Sequence, residues 1–122
     1  MSEAAVTTAV DLAALCRAAT GNGPQWGHES EDLDVTLLSW STGGQVEPHV
    51  NREVDVLWIG LEGEGVVTID GAAHPLRPGA ALLIPKHSER SVECRSGRLS
   101  YLSIHKRRAG LRPTLGRNGP RL

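Results

Sequence analysis

The feature that most constrains this chain is the succession of short β-type runs over residues 44–92, each bounded by glycine or proline. Runs of four to eight residues between turn formers pair as strands, and many at near-even spacing close into a sandwich or barrel. The texture begins at Asp34 with DVTLLSW and an STGG turn, and the long run over residues 46–61 is expected to be bent or bulged. Gly63 and Gly65 then read as a break before VVTID, and Asp70-Gly71 is a two-residue hairpin signal. AAHPL, the Arg77-Pro78-Gly79 turn, ALLIP, SVECR, a Ser96-Gly97 turn and RLSYLSIH complete seven or eight expected strands, with no internal repeat.

One run carries unusual chemistry. His49, Asn51, Glu53 and Asp55 fall at every second position, so a regular pleat would send all four side chains from one face of one strand. Burying such groups unpaired costs roughly 2–7 kcal/mol each, so that face needs water or a ligand.

Before the β region, Val10, Ala13, Ala14 and Cys16, with Leu12 and Leu15 beside them, fit a short amphipathic helix within residues 8–20. Thr8 is the expected cap, with Asp11 at the third helical position and Gly21 as the stop. GNGPQWGHES reads as a loop. The predicted organisation is therefore an N-terminal helix and loop (1–33), a β-barrel domain (34–105) and a basic, flexible tail (106–122).

At 122 residues the chain suffices for one domain with a single core. The formal net charge is only −1, yet all fourteen acidic residues precede residue 94, whereas Lys106, Arg107, Arg108, Arg112, Arg117 and Arg121 crowd the end. That tail could hold phosphates, but it lacks interleaved aromatics and follows an acidic body, so nucleic acid is not the expected partner. Cys16 and Cys94 follow no short metal-binding spacing and read as reduced thiols, which suits a cytoplasmic location. The N-terminus has no basic leader, and no apolar run is long enough for a bilayer, so neither export nor membrane insertion is expected.

Residues 35–105 resemble the cupin superfamily, small proteins built on a jelly-roll β-barrel. The family's first motif is a glycine, about five residues, His-x-His, three or four residues, a glutamate, six residues and a glycine; Gly44, His49, Asn51 and Gly63 hold comparable places. Its second motif is a glycine, five residues, Pro-x-Gly, two residues, a histidine, three residues and an asparagine. Gly79 and Pro85 match it, and His87 and Arg90 stand where the glycine and the histidine would be. LEGEGVVTIDG and HPLRPGAALLIP look like the intermotif hairpin. The resemblance implies an all-β cupin jelly-roll barrel with one short N-terminal α-helix, and a homodimer formed by strand or sheet packing.

It also implies a metal held by two histidines and a carboxylate of the first motif and one histidine of the second. Here Asn51 replaces one histidine, and a neutral amide is a weak ligand for iron, zinc or nickel. Arg90 replaces another, and a guanidinium cannot bind a cation. Counting back from Gly63 puts Val56 at the glutamate position; Asp55 or Glu53 would serve only if a strand bulge shifts the register. The candidate metal set is accordingly His49, Asp55, Glu53 and His87, for iron, zinc, nickel, copper or manganese.

Two main readings of function follow. In the first, a noncatalytic or accessory barrel binds a small polar or anionic molecule, with His49, Asn51, Asp55, Trp58 and Arg90 lining the cavity. In the second, a metal-dependent dioxygenase, isomerase or lyase uses His49 with a nearby carboxylate. A third makes the domain a regulatory module recognised through its sheet surface and tail. The individual residues carry alternatives of their own. His49 can be a ligand, a general base or a satisfied barrel histidine. Glu53 and Asp55 can form a carboxylate pair or ion pairs with Arg90 and Arg52, and Arg90 can be a fork for a carboxylate or phosphate or an internal salt-bridge partner. Trp26, Trp40 and Trp58 read as packing, with Trp58 the candidate cavity wall. His28, His74 and His105 have no pattern behind them.

Overall fold

The computed structural model describes residues 7–107, so the expected tail lies outside the described residues from position 108 onward. Helix α1 (Leu12–Arg17) is shorter than expected and is capped by Asp11, whose Oδ1 accepts from the Ala14 amide at 3.1 Å. Asp11, and not Thr8, is the cap because its backbone is extended and its carboxylate reaches the open amides of the first turn.

Seven antiparallel strands follow: β1 (Gly23–Glu29), β2 (Leu33–Trp40), β3 (Gln45–Val50), β4 (Val56–Ile69), β5 (Ala72–Leu76), β6 (Ala81–Ile84) and β7 (Glu89–Lys106). The segment read as a loop is thus an edge strand, paired with β2 despite a register shift between Pro24 and Trp26. An edge position tolerates a proline, which has no amide hydrogen to donate. The run over residues 46–61 does not form one strand: β3 ends at Val50, and residues 51–55 cross over to β4. Conversely, β4 passes straight through Gly63 and Gly65, where a break was expected, and absorbs them as register shifts against β7. The Asp70-Gly71 hairpin is as predicted, with positive φ at both residues.

The architecture turns on β4 and β7, which pair from Val56 opposite His105 to Ile69 opposite Arg90. Their middle is bent. A Cβ at Gly60 would lie 2.2 Å from the Arg77 carbonyl oxygen, and one at Gly63, whose φ is +73°, would lie 2.3 Å from that of Arg98. Only glycine allows the chains to approach so closely there. On one side of the bend the pair is flanked by β2 and β1 and by β6, forming a helix-side sheet; on the other it is flanked by β3 and by β5, forming a second sheet.

Both sheets feed one core. Leu38, Trp40, Val56, Trp58, Ile84, Leu99 and Tyr101 of the helix-side sheet pack with Val67, Leu76, Val92 and Cys94 of the second. Trp58 Nε1 donates to Ser103 Oγ at 3.1 Å, and Trp40 Nε1 donates to the Tyr101 hydroxyl at 3.2 Å, so the buried indoles leave no donor unmet. Helix α1 covers the outer face of the helix-side sheet through Leu12, Leu15 and Cys16, over Leu37 and Leu102. Both cysteines are free and buried, and burial pushes the Cys16 thiol up, with the nearby Glu62 charge adding to it. No helix among the described residues is long and apolar enough to cross a membrane. The arrangement is the all-β jelly-roll barrel with one short helix that the sequence predicts.

Candidate functional site at the barrel mouth

Because β4 and β7 fold back on themselves, their outer ends come to the same end of the barrel. The cross-strand row Asp34, His105, Val56 and Ile84 ends the helix-side sheet, and the row His49, Arg90 and Ile69 ends the second. Two crossovers bridge these ends: residues 51–55, from β3 to β4, and residues 85–88, from β6 to β7. They are tied together, since the His87 amide donates to the Asn51 carbonyl at 2.7 Å and the Lys86 amide to Asp55 Oδ1 at 2.9 Å.

The crossover replaces the strand face on which four polar side chains were expected. Asn51 Oδ1 accepts from the amides of Glu53 at 2.8 Å and Val54 at 3.2 Å, a local turn that competes with the strand ladder and ends it. The four residues therefore separate. His49 is half-buried, its Nδ1 3.2 Å from the Glu47 carbonyl, which can only accept, so Nδ1 carries the proton. Asn51 is buried; Glu53 and Asp55 are exposed, and Asp55 is engaged by the Lys86 backbone. His87 is exposed on the second crossover with φ +75°.

Arg90 is 0% exposed, on the same face of β7 as Val92 and Cys94, with His49 as its direct cross-strand neighbour. Its Nε donates to the Ser88 carbonyl at 3.4 Å. A buried guanidinium is tolerated only when its donors meet acceptors, so its surroundings are an acceptor-rich environment or a ligand site. Asn51 Nδ2 is also buried and makes no hydrogen bond to any described residue. An orphaned donor of that kind costs about 1–3 kcal/mol. Trp58, by contrast, is fully buried against Tyr101 at 4.8 Å between ring centroids, within the apolar core.

Sequence reasoning missed two buried groups here. His105 and Asp34 face each other across β7 and β2, with Nε2 and Oδ2 3.9 Å apart, and His105 Nδ1 lies 2.9 Å from the Lys106 carbonyl. The alternation of Tyr101, Ser103 and His105 with Leu102 and Ile104 puts the first three on one face, but the second set is the more apolar, and only the helix packed over Leu102 shows that His105 faces the core.

The cupin donor set does not gather into a metal centre. Among the described residues no three His, Cys, Asp or Glu side chains lie close enough to share an ion. Of the four sequence candidates, His49 stays at the barrel mouth, Asp55 and His87 belong to the tied crossovers, and Glu53 is on the outside of the first crossover.

Residues 36–105 match the Cupin domain family, and the chain belongs to it. Dimethylsulfoniopropionate lyase DddW of Ruegeria pomeroyi is 40% identical over 58 residues, a stretch covering 48% of this chain and only 38% of the lyase. The crystal structure of TT1209 from Thermus thermophilus superposes with a TM-score of 0.69 at 26% identity, covering 83% of this chain and 98% of that one. A cupin-2 domain containing protein from Shewanella frigidimarina gives a TM-score of 0.70 at 18% identity, covering 80% and 94%, a likeness of fold.

Proposed function

We propose that this cupin domain binds a small anionic molecule at its barrel mouth, with Arg90 as the anchor and His49 and Asn51 beside it. The observation that carries the reading is the fully buried guanidinium on the inward face of β7. Its planar fork of donors matches the two oxygens of a carboxylate. The local likeness to a lyase named for a propionate substrate favours a small carboxylate over a sugar. In a thermal-shift and calorimetric screen of carboxylates, phosphates and neutral sugars, a carboxylate is expected to raise the Tm of the native protein and not of Arg90→Gln. No shift with any carboxylate or phosphate overturns the reading.

The likeness to the lyase also favours a second reading, a metal-dependent cupin enzyme using His49 with Asp55, Glu53 or His87. It requires the crossovers to rearrange, because Asp55 is held by the Lys86 amide and His87 is exposed. Elemental analysis of protein purified without a metal-affinity tag, beside His49→Ala, decides it. A near-stoichiometric transition metal lost in the variant supports the enzyme, and a metal-free folded protein removes it. For assembly, we propose a homodimer through sheet packing, supported by Leu33 at 49% and Leu83 at 67% exposure on the outer face of the helix-side sheet. Sedimentation of Leu83→Glu as a monomer beside a dimeric native protein is the expected result.

A further inference from the structure

We infer that the barrel mouth is a charge-inverted cupin site: Asn51 Nδ2 and the Arg90 guanidinium take the oxygens of a small carboxylate directly, with no metal ion between ligand and protein. This rests on the anion-binding function proposed above and deepens it by assigning the second donor and removing the metal.

The orientation of the Asn51 amide is fixed by its own turn. The atom that accepts from the Glu53 and Val54 amides must be the oxygen, so the other terminus is the amino group, with two donors and no lone pair to offer. Asn51 is 7% exposed, and this Nδ2 meets no acceptor among the described residues. A metal ion cannot be ligated there, whereas an oxyanion can. The position at which the resemblance calls for a metal-binding histidine thus presents hydrogen atoms.

The second replaced position points the same way. Arg90 carries donors only and a permanent positive charge, and its partner in the β3–β7 ladder is His49. A divalent cation beside His49 would meet that charge, and the attraction a metal would exert on a carboxylate is supplied by the guanidinium instead. Meanwhile the oxygen ligand best placed by sequence, Asp55, is turned to the Lys86 amide, and Asn51 Oδ1 is committed to its turn. The two replacements are therefore complementary: both convert acceptors of a cation into donors to an anion.

Three variants and one chelator test this. Native protein dialysed against a chelator is titrated by calorimetry with propionate, succinate and inorganic phosphate, without and with added zinc or manganese. Carboxylate binding is expected to be unchanged by the chelator and by either metal. Asn51→Asp keeps the oxygen that closes the turn and exchanges the donor for a second acceptor; it is expected to melt near the native Tm and to bind carboxylate at least tenfold more weakly. Arg90→Lys, which keeps the charge and loses the fork, is expected to weaken carboxylate more than phosphate. The double variant Asn51→His with Arg90→His is expected to lose carboxylate binding and to retain close to one equivalent of zinc by elemental analysis where the native protein retains none. Carboxylate binding that disappears with the chelator, or Asn51→Asp binding like the native protein, overturns this inference and leaves the anion-binding function standing. Failure of every oxyanion to bind overturns both.

Discussion

The two ends of this barrel are built on opposite principles. At the bent end, Gly63 of β4 lies against the Arg98 carbonyl of β7 and Gly60 against the Arg77 carbonyl beyond β5, so neither has room for a side chain, and Leu99 and Tyr101 are fully buried. At the mouth, the buried set is Asn51, Ser88, Arg90, Asp34 and His105, held under two crossovers by backbone hydrogen bonds. The bent end is packed mainly by large apolar and aromatic side chains, and any change of volume there is felt; the buried set at the mouth is polar, and its donors and acceptors must be matched. The difference teaches that close packing and buried polar groups are divided along the barrel's length.

Substitutions should separate the two. Leu99→Ala at the bent end is expected to cost about 3–4 kcal/mol in urea denaturation and leave ligand affinity per folded molecule unchanged. Gly60→Ala, which forces a Cβ against the Arg77 carbonyl, should cost about 3 kcal/mol by the same measurement. Tyr101 makes the bent end sensitive to alkali. Burial is the main cause that holds its phenol well above the ordinary value of 10.0, while the Trp40 hydrogen bond opposes this. The unfolded chain loses that proton first, so the stabilisation is full below pH 10 and falls as pH rises beyond it, by about 1.4 kcal/mol per pH unit. Tyr101→Phe should flatten that slope; an unchanged slope would remove Tyr101 as its cause.

The mouth should respond more weakly in stability and more strongly in binding. Asn51→Ala takes the acceptor from two backbone amides and should cost about 1–2 kcal/mol while reducing carboxylate affinity. Arg90→Met, a near match in length without the charge, leaves the Ser88 carbonyl without its donor and should cost about 1–2 kcal/mol while abolishing carboxylate-induced stabilisation. A large stability loss from Arg90→Met would make the guanidinium a structural member of the core and would blur the division between the ends.

How much of this was legible in the sequence depends on whether local chemistry and tertiary pairing agreed. They agree for β2, for the Asp70-Gly71 turn and for the inward position of Arg90, which follows from its alternation with Val92 and Cys94. They disagree for β1, whose glycines and Pro24 suggest a loop until β2 supplies a partner. Gly63 and Gly65 read as punctuation, but the bend in a long paired strand uses the same residue for the same freedom. The largest misreading concerns His49, Asn51, Glu53 and Asp55. Period-two spacing suggested one face, yet Asn51 captures the two following amides for itself and the strand stops. Spacing reports a face only while the ladder continues. The resemblance to the cupin motifs identified the barrel region, whereas the orientation of Asn51 and the full burial of Arg90 are visible only in the structure.

The pairing of β4 with β7 also sets the order in which this protein can assemble. The β4–β5 hairpin closes through the Asp70-Gly71 turn and needs no distant residue. β7 must then find β4, and of all their partners Ile69 and Arg90 are the nearest in sequence, while Val56 and His105 are the farthest. Loop closure favours the nearest first, so pairing is expected to start at Arg90 and to zip through the glycine bend towards His105. Arg90 is then the residue whose register every later contact inherits, and a slow folding rate set by non-local pairing is the expected kinetic signature.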